Sequence, residues 1–312
     1  MANTELTLVL PGLAAILEQK INASIIPPYL AKIISKAQFQ QDLTGLSRLL
    51  FNHFSESPLT NSDLPIAHLE QENINTLRAD PCYLHADRDR LLLFADNLEL
   101  SYDESAALIA EIQPLFDEFG GELIQSRPDS WILKMQAMPE LNFSALPEVT
   151  GKGVESHLPK GREQQDWIRL WNEVQMKLYA SELNQRRSDE GKLAINSVWF
   201  WGAGTFISKD MPWTKIQGQS SLLKQLADRS QCLLDNNSDY SIVSLSKGRH
   251  LWLADEIVID GDWLQQLQIF DDTVLKPLWQ YCRKAKVTEI QLEIPEHGRY
   301  LLTPLDCWKF WK

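Results

Sequence analysis

The run Leu6-Thr7-Leu8-Val9-Leu10 halts at Pro11-Gly12, which reads as a buried parallel strand and its exit turn. A strand of this kind needs neighbours on both edges, and the nearby sequence offers helices instead. One helical pattern begins after Pro27-Pro28 and runs through Tyr29, Leu30, Ile33 and Ile34. A second runs from about Asp42 through Leu43, Leu46, Leu49, Leu50 and Phe54. Strand-like apolar runs alternating with helices return only in the final third, at 196–201, 240–245, 250–253 and 287–294. Helical patterns fall at 222–226 and at 263–284, the latter interrupted by Pro277. The alternation predicts an α/β fold, a mainly parallel sheet flanked by helices, assembled from both ends of the chain.

The middle has an α+β texture. Residues 55–75 are polar, with Pro58 and Pro65, and read as a linker. Runs at 82–85 and 91–94 around Ala86-Asp87-Arg88-Asp89-Arg90 predict a hairpin. Asp103-Glu104 opens a helix that Gly120-Gly121 stops, and Pro114 should kink or split it. A strand pair is expected at 122–124 and 131–133, and a long helix carries Trp167 through Leu183. The expected organisation is a discontinuous core of 1–60 and 190–312 around an inserted α+β domain at 61–189. Residues 296–298 read as a hairpin turn before a strand at 299–303.

The chain has 312 residues, is 44% hydrophobic and carries a formal net charge of −12. That apolar content excludes a disordered chain. The acidity makes direct nucleic-acid binding an unfavourable expectation, because phosphate repels a negative surface. The start, Met1-Ala2-Asn3-Thr4-Glu5, lacks the positive charge of a secretory signal, and no run approaches the roughly 18 apolar residues of a membrane span. Cys82, Cys232, Cys282 and Cys307 lie far apart without metal-ligand spacing. A reducing cytoplasm is the expected compartment, and no membrane partner is expected.

Three features could carry chemistry. Gly202-Ala203-Gly204 follows a strand and could let backbone approach a phosphate, although a dinucleotide fingerprint needs a third glycine. A tight turn packing a tryptophan-rich strand end is the competing reading. In the hairpin, Asp80, His85, Asp87 and Asp89 could hold a cation or shuttle protons, or could pair their charges with Arg88 and Arg90 in water. Eight of the eleven tryptophans lie from Trp199 onward, and Trp308-Lys309-Phe310-Trp311 either docks on its own domain or anchors a partner.

Arg78-Ala79-Asp80-Pro81, Leu84-His85-Ala86-Asp87-Arg88-Asp89, Asn196-Ser197-Val198-Trp199-Phe200-Trp201-Gly202-Ala203-Gly204 and the aromatic tail resemble the RpfE-type regulatory proteins of bacteria, which are labelled cofactor-independent phosphoglycerate mutase-like. A more distant resemblance, to archaeal-type phosphoglycerate mutases of the alkaline phosphatase superfamily, rests on Asn184, Arg187, Gly191, Ala194, Asn196, Gly202 and Gly204 in order. The opening Leu-Val-Leu-Pro-Gly and residues 27–31 add to it. That resemblance implies an alkaline phosphatase-like core with an insertion. It also implies a two-metal site whose first ligand is an Asp before a Gly. This chain has Pro11-Gly12 there, and the family's later Asp and His ligands have no counterpart.

The expectation is therefore a non-catalytic regulatory or binding protein without cofactor or metal, recognising a partner protein or a small anionic ligand. Its candidate ligand residues are Arg78, Asp80, His85, Asp87, Arg88, Asp89, Asn184, Arg187, Asn196, Trp199, Trp201, Gly202 and Gly204. One alternative is a metal-dependent phosphomutase or phosphatase with a rebuilt site of Asp80, His85, Asp87 and Asp89, with Arg88 and Arg187 clamping phosphate. Another is an accessory partner of a DNA-metabolism enzyme.

Overall fold

The computed structural model describes residues 3–18, 26–60, 63–71, 75–236, 245–255 and 262–309. The chain forms two compact units: Met1–Pro58 with Ser208–Lys312, and Leu59–Ile207. No helix among the described residues is long and apolar enough to cross a membrane.

The first unit is built on a seven-stranded sheet. Its strands are β1 (Thr4–Val9), β2 (Gln38–Gln41), β10 (Lys215–Gln217), β11 (Leu234–Asp235), β12 (Gly248–Leu253), β13 (Glu289–Ile294) and β14 (Gly298–Leu302), in the order β11-β10-β12-β1-β13-β14-β2. The first five are parallel, and β14 and β2 close one side antiparallel. β1 thus sits between β12 and β13, as its apolar run requires. The sheet is mainly parallel and flanked by helices, a mixed α/β architecture.

One face of this sheet is apolar. Leu6, Leu8 and Leu10, with Ile290, Leu292, Ile294 and Trp252, are buried against helices α1 (Leu13–Glu18), α2 (Pro28–Lys36), α10 (Trp263–Phe270) and α11 (Lys276–Arg283). The helical stretch at 263–284 is interrupted ahead of Pro277, by a π turn at Asp271–Leu275. Pro277 itself falls in the first turn of α11, where its missing N–H costs little. The π turn has a structural consequence. Asp271 accepts the backbone N–H of Tyr29 at 3.1 Å and of Leu30 at 2.7 Å, capping α2, whose own N-cap residue is Pro27 and supplies no side-chain bond.

Helices α3 (Leu46–Phe54) and α9 (Ser221–Arg229) belong to the same unit and bury apolar residues at helical spacing. α3 begins at Leu46 with Gly45 as N-cap, so the helix expected from Asp42 starts later. The strand expected at 240–245 lies almost wholly outside the described residues.

The second unit has an antiparallel sheet in which the long strand β3 (Thr76–Asp87) is the spine. It pairs with β4 (Arg90–Phe94), β6 (Ser130–Met135) and β9 (Ser197–Trp201), while β5 (Gly121–Arg127) pairs with β6. A two-stranded ribbon joins β7 (Leu141–Asn142) to β8 (Lys160–Gly161). The helices are α4 (Ile66–Glu70), α5 (Tyr102–Phe119), α6 (Leu146–Val149), α7 (Gln164–Tyr179) and α8 (Glu182–Asp189).

Four expectations change here. β9 is in the second unit, not in the core segment expected from 190, because its partner is the insertion's own β3. The expected linker contains α4. Pro114 does not split α5, which holds Leu108, Ile112 and Phe116 buried on both sides of it. The long helix ends at Tyr179, and Ser181 caps a separate α8 that carries Asn184 and Arg187. The aromatic density of this unit is core. Trp167 meets Phe119, Phe143 and Phe200 edge-on at 5.0–5.3 Å between centroids.

Candidate functional site

Ligand sites in open parallel sheets form beyond the carboxyl ends of the strands. Here β1 ends in Leu10, whose N–H bonds Glu293 O at 2.9 Å, and then in Pro11. β12 leads into Ala254 and Asp255, β10 into Gly218, and β13 turns directly into β14. The proline side chain offers no ligand to a cation. Among the described residues no group of three or more His, Cys, Asp and Glu side chains is placed to hold a metal ion. The described residues of this edge supply no ligand set for the two-metal centre that the mutase resemblance implies.

The residues singled out from the sequence all lie in the second unit, and most of them bond to its own framework. Asp80, 1% exposed, accepts Arg78 Nε and Nη2 and the Trp131 N–H, each at 3.0 Å, and Trp201 Nε1 at 2.7 Å. Arg78 also pairs with Glu70 at 3.1 Å and lies over the Trp201 ring. Burial drives the Asp80 carboxyl above its ordinary range, with Arg78, Trp201 and Trp131 opposing it. Asn196 accepts from Leu84 N–H and donates to Leu84 O, standing in for a strand neighbour. Asn184 bonds Leu178 O and both backbone groups of Ile195.

Arg187 is 1% exposed and donates to Leu98 O, Leu193 O, Glu99 O and Glu104 Oε1. Trp199 Nε1 donates to Ser144 O. In the glycine loop, Gly202 has φ +86° and Gly204 +108°. The N–H groups of Gly202 and Ala203 point at the two carboxylate oxygens of Asp63, at 2.9 and 2.8 Å. The chain's own carboxylate thus occupies the concavity that a phosphate would take. His85, Asp87, Arg88 and Asp89 form the solvated hairpin tip, where Asp87 and Arg90 are 3.7 Å apart and Arg88 has φ +57°.

The sequence reading missed a different constellation, on the second face of the parallel sheet. A cavity of about 390 Å³ lies there within the first unit. The outward residues of β13 are polar and those of β1 partly so, with Glu5 beside Glu289 and Thr7 beside Gln291 in register, while apolar Val9 stands beside Glu293. Arg249 of β12 flanks Glu5, and Arg299 of β14 flanks Glu293. Parallel sheets ordinarily bury apolar residues on both faces, so this polar wall departs from what packing alone calls for.

α3 and the segment before β10 close the cavity. His53, in the last turn of α3, places Nε2 2.6 Å from Glu293 Oε2, and Gln291 Nε2 donates to the other carboxylate oxygen at 2.5 Å. His53 meets Trp213 edge-on at 5.4 Å, and Arg249 lies 4.7 Å over the Trp213 ring. Asp42 pairs with Arg299 at 3.6 Å, and Glu5 with Arg249 at 3.8 Å. Burial first, then the Glu5 carboxylate, push the Glu289 carboxyl above its ordinary range, while Arg249 pulls it back. Trp213 and Arg299 line the cavity with other atoms, while the indole N–H of Trp213, a residue 4% exposed, and the Nε–H of Arg299 are shut off from solvent and have no partner among the described residues. The signal in the sequence was the alternation Glu289-Ile290-Gln291-Leu292-Glu293-Ile294, which puts polar groups on every second position of a central strand.

No protein-family model matches the chain. It is similar to the 2,3-bisphosphoglycerate-independent phosphoglycerate mutases of Methanosarcina barkeri, 38% identical over 178 residues, and Methanosarcina mazei, 22% identical over 178 residues. Each match covers 48% of this chain, and the chain spans under half the length of these relatives, 44% and 45% respectively. A solved protein of Pyrococcus horikoshii superposes with a TM-score of 0.50 at 12% identity, covering 97% of this chain and 88% of that one. The chain has a phosphoglycerate mutase-like scaffold of distant resemblance to the cofactor-independent enzymes.

Proposed function

We propose that this chain is a regulatory binding protein that holds a small polar ligand in the cavity on the second sheet face and does not carry the mutase reaction of the proteins it resembles. The observation that supports this reading is the polar wall of β1 and β13, where a purely structural sheet would be apolar. Phosphoryl transfer requires groups that offset developing negative charge, and the strand exit at Pro11 supplies none. In the same reading the chain works in a reducing compartment with its thiols free, and a partner protein reads the bound state. Fold resemblance alone does not carry an activity.

The test is turnover of 3-phosphoglycerate with manganese supplied, together with metal analysis of the dialysed protein. No turnover and no retained manganese are expected. Turnover above a heat-killed control, or two tightly held manganese equivalents per chain, would overturn the reading.

A further inference from the structure

We propose that Cys282 and Cys307 are a peroxide-responsive dithiol that closes to an intrachain disulfide and fastens the 3-10 turn at Asp306–Trp308 to α11. The pair lies on the apolar side of the first unit's sheet. The inference is independent of the binding reading above.

Geometry is the first argument. β13 and β14 separate the two cysteines along the chain, and the segment after β14 folds back to bring them together. Cys282 is wholly buried in the apolar core, and Cys307 packs against that core while staying partly exposed. Both are free thiols, and their side chains are hydrogen-bonded to each other. Contacts on either side hold the turn there. The Arg283 guanidinium lies 4.2 Å over the Trp308 ring, and Lys36 of α2 donates from Nζ to Lys309 O. Asp306 accepts the Thr303 N–H at 2.9 Å and the Thr303 hydroxyl at 2.6 Å. Chain ends fray unless docked, and through Lys309 this one is docked on its own unit.

The surroundings give the two sulfurs different roles. The Cys282 thiol donates to the Cys307 sulfur and so favours the Cys307 thiolate. That hydrogen bond, helped by the Arg283 charge, holds the Cys307 thiol below its ordinary range, against burial and the Asp306 carboxylate. The same hydrogen bond, then burial, push the Cys282 thiol up. The thiolate is the reactive form, so partly exposed Cys307 attacks first and buried Cys282 resolves. In the first step the Cys307 thiolate attacks one peroxide oxygen, the O–O bond breaks, and a sulfenic acid forms while hydroxide leaves and takes up a proton. In the second, the Cys282 sulfur attacks the sulfenic sulfur, the S–O bond breaks, and the Cys282 proton leaves with the hydroxide as water. The two thiols lose two electrons, and hydrogen peroxide is reduced to two waters. Transient disulfides of this kind are compatible with a reducing compartment.

The test treats the full chain with hydrogen peroxide, blocks the remaining thiols and maps the digest by mass spectrometry. Cys232 is the internal control, because it is also partly exposed but burial raises its thiol. The expected product is one intrachain Cys282–Cys307 crosslink that dithiothreitol reverses, with Cys82 and Cys232 still free. Cys307 should react at least about tenfold faster than Cys232. Amide exchange at Asp306–Trp308 should slow in the oxidised protein. Cys282→Ala should leave Cys307 as a sulfenic acid that dimedone traps, and Cys307→Ser should leave Cys282 unmodified, because burial shields it.

The mapping on the wild-type chain decides the matter even if Cys282→Ala does not fold. Four free thiols after peroxide, a crosslink only between chains, or oxidation of Cys307 no faster than that of Cys232 would overturn the proposal. So would a Cys307 that passes to the sulfinic acid in the wild-type chain without ever linking to Cys282.

Discussion

A carboxylate removed from water needs donors around it, and Asp80 has four, drawn from β3, β6 and β9. Asp80→Ala leaves Arg78 buried with only Glu70 as a charged partner, so the second unit should lose about 3–5 kcal/mol in denaturant unfolding. A loss under about 1 kcal/mol would show the network to be dispensable. Glu289 makes the opposite case. Its native carboxyl holds a proton to higher pH than the ordinary value of 4.5, so its contribution to stability is intact below that value and falls as pH rises through the native one. Glu289→Gln should therefore raise the melting temperature more at pH about 7.5 than at pH about 4; an equal gain at both would contradict this. Residue types alone pointed to Asp80 as a ligand group and away from Glu289. The spacing of Arg78 and Asp80, two apart on a strand, already put them on one face within reach of each other. What the sequence withheld was Trp131 and Trp201 converging on the same carboxylate from distant segments.

Elements whose boundaries are set locally were readable. α5 begins at a reciprocal cap between Ser101 and Glu104 and ends at left-handed Gly120, both visible as residue types. α2 was readable as a helix, but its cap was not, because Asp271 lies 241 residues away along the chain from Leu30. Asp271→Ala should cost about 1–2 kcal/mol and raise amide exchange at Tyr29 and Leu30; unchanged exchange there would remove Asp271 from that role. Strand β2 escaped notice because its four residues, Gln-Phe-Gln-Gln, are all exposed on a sheet edge and lack the apolar signal of a buried strand. The polar alternation of β13 was readable as a strand, but its meaning depends on which face α3 covers. That is a tertiary fact.

For the whole molecule, the alternation of buried strands and helices near both termini was sufficient to predict the mainly parallel sheet. The exit from the second unit was misjudged because β9 is as apolar as a central parallel strand. Only its antiparallel pairing with β3 assigns it. Each unit has its own sheet and buried side chains, so the Asp80→Ala variant should accelerate amide exchange in β3, β6 and β9 while β1, β12 and β13 keep wild-type rates. Uniform acceleration across both sheets would mean that they open together.

The position of β1 between β12 and β13 has a consequence during biosynthesis. A ribosome releases this strand before either neighbour, and the contact of Thr4 with Ser246 spans 242 positions. At roughly 5–20 residues per second, the first of its two neighbours follows only some 10–50 s later. The intervening unit can complete its sheet in that interval, but β1 has no strand on either edge and its leucines have only α1 and α2 to pack on. The nascent chain must carry that greasy strand with both edges open, where chaperone capture competes with self-association.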